Sequence, residues 1–243
     1  MKKILLLTVA ALLGWQGANA QDKVEEFGIF DHLSAGVSFG TTGIGIELAA
    51  PVSEYVQLRA GYSFMPKLSY KDDFDYKHKG QTKQTEVEAK LNMGDVKLLA
   101  DIYPFPKSTF HATAGFYVGK SEIITVENTK PVTDFEPGEG FFVGDYLVGF
   151  DENGYAKGSI KVASFKPYVG LGFGRAVPRG RIGVSADFGV QFWGTPGVYE
   201  HQTGKDLKLE KEDVGDNDEG WIDKISKFTA YPVINIRICG RIF

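Results

Sequence analysis

Residues 166–193, KPYVGLGFGRAVPRGRIGVSADFGVQFW, hold two runs of strict alternation joined by a short turn rich in Pro, Gly and Arg. On the first run Val169, Leu171 and Phe173 share a face opposite Tyr168, Gly170 and Gly172. On the second, Ile182, Val184, Ala186, Phe188, Val190 and Phe192 face away from Gly183, Ser185, Asp187, Gly189 and Gln191. A period of two predicts two strands of a hairpin, one face apolar and the other small and polar. The second run is long for a strand of a soluble domain and close to the roughly 9–11 tilted residues that cross a bilayer.

The plan repeats in both directions from this hairpin. Upstream, Phe110, Ala112, Ala114, Phe116 and Val118 alternate with His111, Thr113, Gly115 and Tyr117, and Val56, Leu58, Ala60, Tyr62 and Phe64 alternate with Gln57, Arg59, Gly61 and Ser63. Between them Val87, Ala89 and Leu91 stand in one phase and Val96, Leu98, Ala100 and Ile102 in the other, which predicts one strand bulged at Gly94. Residues 33–39 and 44–48 read as two strands about a turn at 41–43, or as one long bent strand; two strands give an even count. Downstream, Ile234, Ile236, Ile238 and Ile242 oppose Asn235, Arg237, Cys239 and Arg241 on a closing strand over 228–243. Pro167 and Pro232 fall inside predicted strands, near starts where a ladder can end.

Short turns at 51–54, 104–108 and 175–181 alternate with long connections at 66–86, 119–165 and 194–227, so every short turn falls at one end of an up-and-down barrel. The first long connection, YKDDFDYKHKGQTKQT, is read as a solvated loop. In the second, residues 146–150 and 155–162 flank Asp151-Glu152-Asn153-Gly154 and predict a hairpin standing above the barrel. The third is acidic around 210–219.

Residues 1–20, MKKILLLTVAALLGWQGANA, combine two lysines, an apolar core and an Ala-Asn-Ala site: a cleaved secretory signal, leaving a single domain over 21–243. Residues 21–31 form a charged leading segment expected to lie outside the barrel. Beyond the signal no apolar run approaches the roughly 18 residues of a membrane helix, so any crossing falls to strands. Cys239 is the single cysteine, which excludes an internal disulfide. A net charge of −4 carries no basic footprint for nucleic acid.

A soluble lipocalin-like barrel alternates too, with its apolar face inward. Tyr55, Tyr103, Phe105, Phe110, Tyr168, Trp193 and Tyr231 fall near strand termini, as interfacial girdles of a membrane barrel require. The expected fold is therefore all-β, an eight-stranded antiparallel up-and-down transmembrane β-barrel with long extracellular loops. The architecture and the closing strand, residues 231–243, YPVINIRICGRIF, resemble the small Gram-negative outer-membrane barrel proteins of the OmpX, OmpW and OmpA-barrel kind. That resemblance implies a cell outer-membrane location, contact with outer-membrane lipid and lipopolysaccharide, and Phe243 as the signal read by the barrel-assembly machinery. It departs from the pattern where Phe243 is out of phase with Ile238 and Ile242 and Arg241 stands where an aromatic is usual.

Glu47, Arg59, Lys97, Asp101, His111, Asp187 and Arg237 fall on the polar face. If that face lines the lumen they should pair, since charges are placed where water is scarce; counting from the turns puts Glu47 in the neighbourhood of Arg59 and Asp101 in that of His111, without fixing the register to the residue. An eight-stranded interior is just wide enough for side chains to fill. The reading is a non-enzymatic outer-membrane barrel with a largely plugged lumen and surface loops for partner interaction, a small subunit of a larger outer-membrane complex being one form of it. The alternatives are a narrow OmpW-like channel for small or apolar solutes and a lipid A-modifying enzyme. For the last, His78 near Ser69, Asp72, Asp73 and Asp75, and the His32-Leu33-Ser34 triplet, are weak signals, more simply a hydrated loop and a structural histidine. Asp213, Asp216, Asp218 and Glu219 miss the calcium-loop pattern. Cys239, between Arg237 and Arg241, reads as a small lumenal residue rather than a reactive thiolate. No cofactor or metal is expected.

Overall fold

The computed structural model describes residues 27–79, 81–143, 146–202, 205–209 and 229–242; residues 1–20, read above as a secretory signal, the acidic stretch around 210–219 and Phe243 lie outside them. The described residues form sixteen strands: β1 Ser34–Gly40, β2 Gly43–Pro51, β3 Val56–Phe64, β4 Leu68–His78, β5 Gln81–Leu91, β6 Gly94–Ile102, β7 Phe110–Gly119, β8 Glu122–Asn128, β9 Gly140–Val143, β10 Tyr146–Gly149, β11 Lys157–Lys161, β12 Phe165–Phe173, β13 Ile182–Phe192, β14 Gly197–Gln202, β15 Lys205–Lys208 and β16 Ala230–Arg241.

Eight of them close a barrel in the order β1-β16-β13-β12-β7-β6-β3-β2. Each barrel strand pairs antiparallel with the next barrel strand along the chain, and β16 returns to β1 with Ser34 opposite Arg241 and Gly40 opposite Asn235. Residues 33–49 thus make two strands, and the count is even. The alternation is turned inside out. Ile46 is 63% exposed, Val96 58%, Leu171 53% and Phe188 51%, while Arg237 is 0%, Lys97 2% and Arg59 3%. Charged residues are almost never fully buried unless paired, so the interior has to be an ionic network and the wall a nonpolar one.

Pro167 and Pro232 are accommodated where one ladder has stopped. The β12–β13 ladder begins at Tyr168, one residue past Pro167, and β1 pairs with β16 only from Asn235 onward, three residues past Pro232.

The long connections are not loops. They build a second antiparallel sheet, β10-β9-β4-β5-β8-β11-β14-β15, standing as a crown on one end of the barrel. Residues 67–86, expected to be solvated, carry most of a hairpin pairing Leu68 with Leu91 and His78 with Gln81. Polar composition conceals this because only one face of the hairpin is covered: Tyr76 and Val87 turn inward while Lys71, Asp73 and Glu86 face water. The change of phase near Gly94 is a change of sheet, not a bulge: β5 ends in the crown, β6 begins in the barrel, and hydrogen bonds from Asn92 N–H to Ile123 O and Met65 N–H to Met93 O hold the joint. Nor do residues 146–162 form one hairpin. β10 pairs with β9 and β11 with β8 and β14, and the Asn153-Gly154 bend, with Gly154 at φ +78°, connects strands that are not hydrogen-bonded to each other. The third connection contributes β14 and β15.

The largest apolar core of the described residues therefore lies in the crown. Tyr76, Val87, Ile123, Val126, Phe141, Val148, Phe150, Ile160 and Val198 pack there, with Phe150 touching the rings of Tyr76, Phe135 and Phe141 at centroid separations of 5.4, 5.4 and 6.4 Å. Four aromatics expected in the girdle point inward instead. Tyr103 and Tyr168 are buried inside the barrel, and Trp193 stacks on Tyr231 at 4.3 Å between the barrel and the crown core. Tyr55 and Phe105 do stand exposed on the outside, Phe110 is half-buried, and the rest of the exposed ring belt comes from Phe39, Tyr62, Phe64, Phe165, Phe173 and Phe192.

Candidate functional site

Strand parity directs all seven predicted polar-face residues into the lumen: Glu47 from β2, Arg59 from β3, Lys97 and Asp101 from β6, His111 from β7, Asp187 from β13 and Arg237 from β16, each buried. Arg59 is the hub. Its Nη1 and Nη2 donate to Asp187 Oδ2 and Oδ1 at 2.9 and 3.0 Å, a two-pronged fork, and Nη2 also donates to Asp101 Oδ1 at 2.7 Å. Paired N–H···O contacts of this kind are the strongest hydrogen bonds side chains make, because both charge and geometry are matched. Asp187 Oδ1 further meets His111 Nε2 at 3.0 Å, and Asp101 accepts from Thr113 Oγ1 at 2.8 Å.

A second knot surrounds Glu47. Lys97 Nζ donates to its Oε1 at 2.6 Å, and Arg237 Nε and Arg59 Nη1 approach its Oε2 at 3.4 and 3.7 Å. Three carboxylates thus face three basic side chains, with His111 alongside, so acid and base are matched in number within the cluster. Glycine makes the room: a Cβ on Gly172 would stand 2.4 Å from His111 Nε2, and one on Gly61 2.8 Å from Glu47 Cγ.

The register differs from simple counting. Glu47 lies opposite Gly61 and Arg59 opposite Ala49, and they meet only because long side chains slant along the lumen. Asp101 is opposite Thr113, and His111, opposite Gly172, reaches Asp187 rather than Asp101. Turn counting fixes neighbours within a hairpin but not the curvature that brings β13 across to β3. Asp101, His111 and Asp187 bring three potential metal-ligand atoms within 4.8 Å of one another. Arg59 donates to both carboxylates, so a divalent cation there would have to displace a guanidinium that already supplies the charge.

Three features of the lumen escaped the sequence. Lys166 pairs with Asp95 at 2.6 Å toward the crown. Near it Tyr117 and Tyr168 pack edge to face at 5.5 Å, with Leu99 and Val233, as an apolar layer across the lumen. At the other end the turn over residues 174–181 folds into the mouth. There Ala176 N–H donates to Tyr103 Oη at 3.0 Å, Val177 N–H to Gln57 Oε1 at 2.9 Å, and Ala176 O accepts from Ser34 Oγ and Arg237 Nη1 at 2.6 and 2.8 Å. The consecutive Ala176-Val177, apolar inside a turn, was the available signal. Phe27 packs on Ala49, Ala176 and Val177, so the leading segment is not wholly outside the barrel.

The weaker candidates land elsewhere. His78 is buried in the crown with Nδ1 2.9 Å from Glu139 and Nε2 3.1 Å from Asp134, and not with the serine and aspartates near it in sequence. His32 faces Asp31 at 2.9 Å while Ser34 is committed to Ala176. Cys239 is a small lumenal residue whose Sγ lies 3.5 Å from Gly183 O. Asp213, Asp216, Asp218 and Glu219 fall outside the described residues.

No family model and no curated sequence matches the chain. Among solved structures it is similar to the crystal structure of Acinetobacter baumannii CarO2, with 19% identity over 86% of this chain and 98% of that one and a TM-score of 0.48. It is similar also to the crystal structure of Acinetobacter baumannii CarO, with 21% identity over 87% of this chain and 97% of that one and a TM-score of 0.46.

Proposed function

We propose that the chain is an integral outer-membrane barrel without catalytic apparatus, closed to solutes along its axis, whose crown is the surface that meets partners. The observation that carries the membrane reading is the inversion of the barrel, with Ile46, Leu171, Phe188 and Ile238 outward and Arg59, Lys97, Asp187 and Arg237 inward. In water that arrangement exposes a continuous apolar belt and buries charge, whereas in a bilayer both faces meet the surroundings they need. The reading of a closed axis draws on three stacked fillings: the turn at 174–181, the Arg59 and Glu47 knots, and the Tyr117–Tyr168 layer beneath the crown core. Against the lipid A-modifying alternative stands the placement of His78 and His32 beside carboxylates rather than serine hydroxyls.

Reconstitution into planar bilayers tests the closed axis: the baseline is expected to stay free of channel steps, and reproducible unitary conductance would favour the narrow-channel alternative. Salt-washed fractionation tests the location, since recovery of the mature protein in the soluble periplasm would end the membrane reading. An unchanged lipid A mass spectrum on overexpression is expected of a non-enzyme.

A further inference from the structure

The mouth opposite the crown holds two positive charges that nothing in the lumen network balances. Arg175 is buried, its guanidinium lying 4.5 Å from the ring centre of Tyr103 and 5.7 Å from that of Phe27. Its Nη2 donates to Pro106 O at 2.6 Å, and Arg179 Nη2 donates to the same oxygen, so the two cationic groups converge on one carbonyl and stand within about 5 Å of each other. Arg175 Nε and Nη1 and Arg179 Nε are buried without a hydrogen-bond partner. Among the described residues no carboxylate lies within 4.0 Å of either guanidinium. Glu54 of the adjoining turn acts on Arg175 only at longer range, and burial followed by the neighbouring charge of Arg179 pushes the Arg175 guanidinium below its ordinary range.

Elsewhere the same barrel gives each buried arginine a carboxylate: Arg59 has Asp187 and Asp101, and Arg237 has Glu47 as well as Ala176 O, although the Nε atoms of both also lack a hydrogen-bond partner. A neutral carbonyl or a water molecule can accept a hydrogen bond from an orphaned N–H, but neither offsets two like charges held together with one of them buried and the other half-exposed. A compact anion with several acceptor oxygens does both, and planar guanidinium donors suit tetrahedral oxyanions.

We propose that Arg175 and Arg179 form an anion site at this mouth for a phosphate group. It is carried either by free phosphate or by the phosphodiester of a phospholipid in the adjacent leaflet. The bound anion ties the turn at 174–181 to the turn at 103–109 through both arginines, and so sets how firmly the mouth is held shut.

Purified full-length protein in dodecyl maltoside, melted in potassium phosphate against potassium chloride at matched ionic strength, reads the first source. The wild type is expected to show a saturable, phosphate-specific rise in melting temperature. Arg179→Gln, at the half-exposed member of the pair, should fold and weaken the apparent phosphate affinity by about tenfold, the scale of losing one charged hydrogen-bond donor. Native mass spectrometry after extraction from phosphatidylglycerol-containing nanodiscs reads the second: one retained phospholipid in the wild type and none in Arg179→Gln, with no response to free phosphate, assigns the anion to lipid. Arg175→Gln should abolish either response, and Arg175→Lys should retain part of it if the variant folds. Parallel phosphate melting curves for wild type and Arg179→Gln, together with equal lipid retention, would overturn the site. Because the phosphate arm is run in detergent micelles, it can succeed or fail independently of the membrane location.

Discussion

Replacing Arg59 with leucine removes the hub of the lumen while keeping most of its bulk. Asp187 loses both prongs of the fork and keeps only His111, and Asp101 loses its 2.7 Å contact and keeps only Thr113. Glu47 still has Lys97 and Arg237, so the deficit is local to two buried carboxylates. Breaking one buried ion pair by deleting a partner costs about 3–5 kcal/mol, because the survivor stays desolvated and unpaired. With two survivors the loss falls at the upper end, and at about 2–4 °C per kcal/mol in a domain of this size the melting temperature should drop by roughly 10–20 °C. Circular dichroism melts in detergent, with gel mobility of unheated samples as a second readout, would measure it. Arg59→Lys keeps the charge and loses the fork, and should fall between the two. Pairing Arg59→Leu with Asp187→Leu removes one charge of each sign and should recover part of the loss. A melt of Arg59→Leu superimposable on the wild type, or a double variant worse than the sum of the single ones, would refute the claim that charge pairing holds the lumen.

Other consequences follow from the crown. Phe141 is fully buried there against Phe74 and Phe150, so Phe141→Ala should destabilise the crown by about 3–5 kcal/mol; limited proteolysis should then cut residues of β8 to β11 while the barrel keeps its unheated gel mobility, and loss of both together would mean that they fold as one unit. The crown tip should also respond to acid. The hydrogen bond from the His78 ring, followed by that from Glu136 N–H, holds the Glu139 carboxyl below its usual range, and Lys83 with the charge of His78 does the same for Asp134. Both carboxyls therefore titrate lower folded than unfolded, so their contribution is complete above the unfolded values of roughly 4 and is lost as pH falls through the lower folded ones. Hydrogen-exchange protection of the segment 131–139, taken relative to the intrinsic rate at each pH, should fall between pH 5 and 3 in the wild type and already be low at pH 7 in His78→Ala, with protection in β3 and β6 unchanged.

The sequence by itself determined the barrel: period-two alternation is a local property, and with short and long connections in strict turn it specified the strand directions, the inward set from Glu47 to Arg237 and the apolar wall. It did not determine the crown, since hydrophilic strands such as β4 and β5 show alternation only weakly, at Phe74 and Tyr76, and their pairing partners lie far along the chain. Nor could it tell which aromatics near strand ends turn inward, because Tyr103 and Tyr168 find their places only once the turn at 174–181 and the glycines at 170 and 189 are in position beside them. Which acid meets which base was likewise settled by tertiary structure alone. Closure and strand tilt carry β13 across the lumen to β3, and a one-dimensional pattern contains no distance across a cylinder.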